Sequence, residues 1–180
     1  PPLHERISAL LESSENGDID AWWKLDFELA RKLDDPEFVD AYEHDITELP
    51  SWKTFDDITI RRIILSAKRY IITGEPSNRE WLGKDIILWP AMSGYRALRL
   101  ICKDDPEFLK TVNAYTWRKW AAIIYEYPIL KREKINIFDD TLLKAAYIYA
   151  PDEIIKSLLC AIRKENRKDS PFEFKRLQCI

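Results

Sequence analysis

The sequence predicts an all-α fold of irregular stacked helix pairs, an arrangement of HEAT-like or α-solenoid type. Three observations lead there. Apolar residues recur every three or four positions along most of the 180 residues. Acidic doublets stand just ahead of such runs, at Asp34-Asp35, Asp56-Asp57, Asp104-Asp105 and Asp139-Asp140; two of them open the same five letters, Asp34-Asp35-Pro36-Glu37-Phe38 and Asp104-Asp105-Pro106-Glu107-Phe108. Only four glycines occur, too few for the tight turns of a β-rich fold. An aspartate caps free backbone N–H groups, proline fits the first helical turn, and a carboxylate suits the positive helix end. The doublets therefore read as helix starts.

Taken in order, Leu3, Ile7, Leu10 and Leu11 form one helical face, ended by Ser13-Ser14-Glu15-Asn16-Gly17. Asp18 or Asp20 then caps a helix running through Leu33, with Trp22, Leu25, Leu29 and Leu33 inward. A short helix follows Pro36, and Leu49-Pro50-Ser51-Trp52 is a loop, because proline disfavours helix at the preceding residue. Asp56–Thr73 has the strongest pattern: Ile60, Ile63, Ile64, Ala67, Tyr70 and Ile71 share a stripe, Arg61, Arg62, Lys68 and Arg69 face elsewhere, and Gly74 sits where a cap belongs. Residues Arg79–Leu88 read as a short helix, with Asp85–Trp89 open to an extended alternative. Helices are then expected over Pro90–Cys102, Pro106–Val112 and Thr116–Tyr125, the last closed by Pro128. Thr141–Ala150 and Pro151–Arg167 form a further pair, and Phe172–Ile180 begins another helix. Pro106 and Pro151 lie 45 residues apart, matching a two-helix solenoid unit of ~40–47 residues, whereas Pro36 and Pro106 lie 70 apart. The repeat is irregular.

The length suits one helical domain over 1–180, with a possible subdivision near 128–140. The opening Pro1-Pro2 and the apolar ending Cys179-Ile180 suggest a fragment of a larger protein. No run approaches the ~20 apolar residues that span a bilayer, and no signal-peptide pattern opens the chain. No membrane association is expected. Cys102, Cys160 and Cys179 are odd in number and set among aliphatic residues, as reduced thiols of a cytoplasmic protein would be. The net charge of −3 conceals a division: residues 1–60 carry 16 acidic and 5 basic side chains, residues 61–180 carry 15 and 23. That division reads either as solvated, mutually attracting faces or as a partner surface on the basic half.

Chemistry-bearing patterns are sparse. His4 and His44 stand alone, without metal-ligand spacing, and no Gly-x-Ser-x-Gly elbow or phosphate-binding loop occurs. The expectation is no catalytic, cofactor-binding or metal-binding residue. The rival reading, paired aspartates serving a Mg²⁺ ion or acid–base chemistry, needs two doublets to converge on one cleft.

Seven tryptophans are many for this size. Adjacent helical residues diverge by about 100°, so Trp22 and Trp23 cannot both face one core. Trp117 and Trp120 share a face, with Arg118 and Lys119 beside them. They read as helix packing or as an aromatic–basic recognition surface. Trp23, Trp117, Arg118 and Trp120 are the candidate partner-binding residues. The basic stretch Lys156, Arg163, Lys164, Arg167, Lys168, Lys175 and Arg176 is diluted by Glu165, Asp169 and Glu173. It reads as a solvated face or as a nucleic-acid contact.

Several segments resemble the helical region of large bacterial, notably cyanobacterial, signalling NTPases of the NACHT/STAND type. They are Ile19-Asp20-Ala21-Trp22-Trp23-Lys24-Leu25, Leu49-Pro50-Ser51-Trp52, Trp81-Leu82-Gly83, Gly94-Tyr95-Arg96-Ala97-Leu98-Arg99-Leu100, Trp117-Arg118-Lys119-Trp120-Ala121 with Tyr127-Pro128, and Ala150-Pro151-Asp152-Glu153-Ile154-Ile155-Lys156. None is a catalytic signature. The resemblance implies a sensor or scaffold role beside an NTPase module, and no NTPase activity for these residues. The expected function is a non-enzymatic interaction segment meeting a protein or another domain of its own chain. The alternative is a nucleic-acid-binding helical module using the basic half.

Overall fold

A computed structural model describes residues 1–31, 43–76, 88–130 and 137–165. They form α1 (Leu3–Glu15), α2 (Ala21–Leu29), α3 (Asp57–Thr73), α4 (Trp89–Asp104), α5 (Pro106–Thr111), α6 (Ala114–Leu130), α7 (Ile137–Tyr149) and α8 (Pro151–Glu165). Two 3-10 turns, Ile46–Glu48 and Trp52–Thr54, precede α3, and no β-strand occurs among the described residues. The fold is all-α. Helix α1 packs on α2 and α3, α3 on α4, α2 on α4, and α4 in turn on α6 and α7. Helix α8 closes the described part against α6 and α7.

At the centre lies α4, buried at every residue from Ala91 to Cys102. A helix enclosed on all sides must satisfy its polar groups internally. Ser93 Oγ donates to Asp26 Oδ2 at 2.7 Å, and Arg96 Nη1 reaches the same oxygen at 3.2 Å. One turn on, Arg99 Nη1 donates to Asp139 Oδ1 at 2.9 Å, and the Tyr95 hydroxyl donates to that oxygen too. The helix is thus tied by ion pairs to α2 on one side and to α7 on another. Two indoles add to this frame. Trp22 Nε1 donates to the Ser93 carbonyl and Trp120 Nε1 to the Ile71 carbonyl, each at 2.9 Å.

Two helix starts depart from expectation. Asp56 caps α3 through Thr59 N at 2.8 Å, and Asp105 caps α5 through Phe108 N at 3.2 Å, as the doublets predicted. Asp139 and Asp140, however, lie inside the first turn of α7, and Asp139 is buried. It still suits the positive helix end, but its oxygen is spent on Tyr95 and Arg99. Asp20 makes no capping bond for α2; Asp18 instead accepts from Asp20 N at 3.0 Å and from Ser13 Oγ at 2.9 Å. Helix α2 itself ends at Leu29. Asp34-Asp35 and the short helices expected after Pro36 and over 79–88 fall outside the described residues, apart from Leu88 as N-cap of α4.

Helix α6 runs through Pro128 to Leu130, where an earlier end was expected. Proline forfeits one bond to the preceding turn, and tertiary contacts hold the helix regardless. The buried Tyr127 hydroxyl accepts from Leu88 N at 3.1 Å and donates to Leu88 O at 3.0 Å. Gly74 does follow α3, but with extended geometry (φ −65°, ψ 146°) and not a left-handed cap. What it supplies is space: a Cβ there would meet the Tyr70 carbonyl oxygen at 2.6 Å.

Candidate interaction surface

Among the described residues, no three His, Cys, Asp or Glu side chains gather as a metal site, and no helix is long and apolar enough to cross a membrane. The three described acidic doublets occupy different places: the start of α3, the α4–α5 junction and the first turn of α7. Of the described cysteines, Cys102 is buried and Cys160 half-buried. Burial pushes the Cys102 thiol up from its usual range. His44 is buried with its ring edge-on to Tyr95, 5.4 Å between centroids.

The candidate partner-binding residues separate. Trp117 and Trp120 share a face, as their spacing requires, but that face is the core side of α6: each is 1% exposed. Trp117 stacks on Tyr149 at 5.8 Å, and Trp120 packs on Tyr70 at 5.6 Å. Of the two readings of this pair, helix packing is the one the structure has, and stacking of these rings on nucleobases would require opening the core. Arg118 does point to water, and Trp23 is half-buried beneath the Lys24 ammonium, 5.7 Å from its ring centroid. The divergence of Trp22 and Trp23 is realised, with Trp22 the buried member.

Exposed apolar side chains occur instead on α3 and, among the described residues toward the C-terminal side, on α7 and α8, where Ile137, Ile148, Ile155 and Leu159 face out. On α3 they form a single row bordered by cations. Capping by Asp56 fixes where this helix begins, and the bond from the Thr59 backbone N–H holds that carboxyl below its usual range. Its inner side, Ile63, Ile64, Ala67, Tyr70 and Ile71, is buried. Ser66 Oγ meets Ser14 Oγ at 2.6 Å, and Tyr70 Oη donates to the Pro90 carbonyl at 3.0 Å. Burial, aided by the nearby carboxylates of Asp20 and Asp26, keeps the Tyr70 hydroxyl far above its usual pKa and so protonated. These contacts fix the rotation of α3 about its axis.

That rotation leaves Ile58 at 72%, Leu65 at 59% and Ile72 at 42% exposure. The three are spaced by seven residues and lie opposite the core side. Arg61 and Lys68 flank the row along one edge, Arg62 and Arg69 along the other. From Ile58 to Thr73 the helix has four cations and no carboxylate. At its C-terminal end Lys119 of α6 donates to the carbonyls of Gly74 (2.8 Å) and Ile72 (3.1 Å), where a cation suits the negative helix end. The same ammonium lies 5.5 Å from the ring centroid of the exposed Tyr115.

The helical pattern of the sequence predicts the four cations outward, whereas the aliphatic row between them is not evident from the inward stripe. The signal was the seven-residue spacing of Ile58, Leu65 and Ile72, masked by the inward stripe on the same helix. Separately, a cleft of about 490 Å³ opens at the α1–α2 turn, lined by Asp18, Ile19, Asp20, Tyr70, Glu75 and Pro90 among others. Its carboxylates give it a negative character.

Comparison with protein-family models, with curated proteins and with solved structures gave no match.

Proposed function

We propose that this chain is a non-catalytic, HEAT-like helical interaction segment that meets a protein partner, or another domain of its own polypeptide, through the outer face of α3. One observation carries the reading: a row of three branched aliphatic side chains is held in water on a helix whose other side is tightly packed. An apolar row rimmed by charge is characteristic of surfaces that associate. The resemblance to the helical region of NACHT/STAND-type signalling NTPases supports a sensor or scaffold role within a larger cytoplasmic protein of bacterial type. In that setting the stacked helices are the recognising part, and nucleotide chemistry belongs to a separate module.

Site-specific photo-crosslinking tests this. A photoreactive side chain is placed at Leu65, or at the exposed Glu48 of the first 3-10 turn as a control, in the full-length polypeptide inside the cells that produce it. Discrete adducts, intermolecular or within the chain, are expected from position 65 and not from the control position, whose neighbours Ile46 and Leu49 are buried. No adduct at 65, or the same adducts at 65 and at the control position 48, removes the proposal.

A further inference from the structure

We infer that the outer face of α3 docks an acidic amphipathic α-helix, seated along Ile58, Leu65 and Ile72 with its carboxylates between the flanking cations. This rests on the reading of α3 as an interaction surface and names the chemistry of its partner.

Periodicity identifies the partner as a helix. The exposed pattern of α3 is a heptad, Ile58-x-x-Arg61-Arg62-x-x-Leu65-x-x-Lys68-Arg69-x-x-Ile72, repeated without a break. A straight α-helix drifts ~20° per heptad, so this row slants gently across the surface; with one apolar residue per seven, and cations where a coiled coil has its second, it is a narrow stripe that a helix crossing at a shallow angle would cover along its length. The row spans 14 residues, or roughly 21 Å, enough for four turns of a partner.

Charge identifies the partner as acidic. Four cations border the row and no carboxylate of α3 interrupts it. Both borders already hold a carboxylate from elsewhere in the chain. Arg62 grips Glu15 with two bonds, at 2.7 and 3.0 Å, and Lys68 reaches Asp105 at 2.7 Å. Arg69 is engaged as well, donating to the Ser14 carbonyl at 2.6 Å, so a partner's carboxylates would meet Arg61 directly and share the other three cations with these groups. The Glu15 and Asp105 pairs show that carboxylates fit beside the row. A second copy of α3 would bring the same cations face to face and is disfavoured. A nucleic-acid backbone matches the charge, but three aliphatic side chains would then press on phosphates, and no aromatic side chain of α3 faces outward to stack a base.

Fluorescence anisotropy decides the matter with defined probes and the whole chain as titrant. The first probe is a labelled helical peptide of about three heptads, with leucine at every seventh position and glutamate at the flanking positions. The second replaces each glutamate by lysine, and the third is a single-stranded oligonucleotide. The acidic peptide is expected to bind at least about tenfold more tightly than the basic one. Leu65→Ser should weaken it about tenfold, and Arg61→Glu should weaken it while strengthening the basic peptide. Both substitutions are at exposed positions, and circular dichroism checks that each variant is folded. Failure of the acidic peptide to bind, equal binding of the two peptides, or preferential capture of the oligonucleotide overturns the inference. Crosslinks at position 65 without a preference for the acidic peptide would leave the surface standing and refute only its acidic partner; absence of those crosslinks refutes the surface itself.

Discussion

The indole of Trp120 fills the space that a methyl group on Gly94 would need. A Cβ built at Gly94 would lie 1.9 Å from Trp120 Cζ3 and 2.5 Å from Cη2. The ring reaches this place because α4 and α6 pack together, and its Nε1 is held by the Ile71 carbonyl of α3. Three helices therefore meet at one side chain.

Gly94→Ala should destabilise the protein by at least the ~1–3 kcal/mol of an overpacked core. Trp120→Ala, which empties the same space, should cost about 3–5 kcal/mol. Combined, the two should cost clearly less than their sum, because the methyl enters a cavity the indole has left. Urea unfolding of the four proteins measures the cycle, and simple additivity would contradict the contact.

Trp117 and Arg118 make a second comparison. Trp117→Ala should lose about 3–5 kcal/mol, whereas Arg118→Ala, an exposed change, should stay within ~0.5 kcal/mol. A mild effect of Trp117→Ala would return that residue to the surface.

How far the sequence disclosed this arrangement differs from residue to residue. The i, i+3 spacing of Trp117 and Trp120 located them on a common face, yet local spacing does not say whether a face points to the core or to water. Arg118 and Lys119 beside them suggested a recognition surface. They lie one and two steps around the helix and point elsewhere, Arg118 to solvent and Lys119 to the end of α3. Asp139 was opaque for another reason. Its partners Tyr95 and Arg99 are 44 and 40 residues away, so nothing nearby distinguished it from a capping aspartate. Caps such as Asp56 and Asp105 were legible because their partners lie three residues away.

The Asp26–Arg96 pair is fully buried. Leaving either charge without the other should cost about 3–5 kcal/mol, so Asp26→Asn and Arg96→Met are each expected to be severe. Replacing both, as Asp26→Leu with Arg96→Met, should be much milder than the two single costs added together. Chemical denaturation reads this directly, and a double variant as unstable as the sum of the singles would refute the pairing.

Acid should weaken the fold. The Ser13 hydroxyl holds the Asp18 carboxyl below its usual range, the Thr59 backbone N–H does so for Asp56, and the Lys68 ammonium for Asp105. Partial burial works against Asp45, but bonds from Thr47 and Lys103 prevail and lower it too. A carboxyl lowered in the folded state contributes stability that is complete above its unfolded pKa and lost as pH falls through the folded value. The urea midpoint should therefore hold steady above about pH 5 and decline below about pH 4. Asp56→Asn with Asp105→Asn should flatten that decline while retaining side chains able to cap. An unchanged acid limb in the double variant would assign the effect to other groups.

The enclosure of α4 has a mechanical consequence. In a simple stack of repeats the terminal units peel away while the middle stays folded. Here the innermost helix is stapled by Arg96 to one flank and by Arg99 to the other, so neither flank can lift without stranding an ion in oil-like surroundings. From α2 through α7 the pile should yield as a single unit, which would make it a stiff strut able to carry a push applied at one end across to the other.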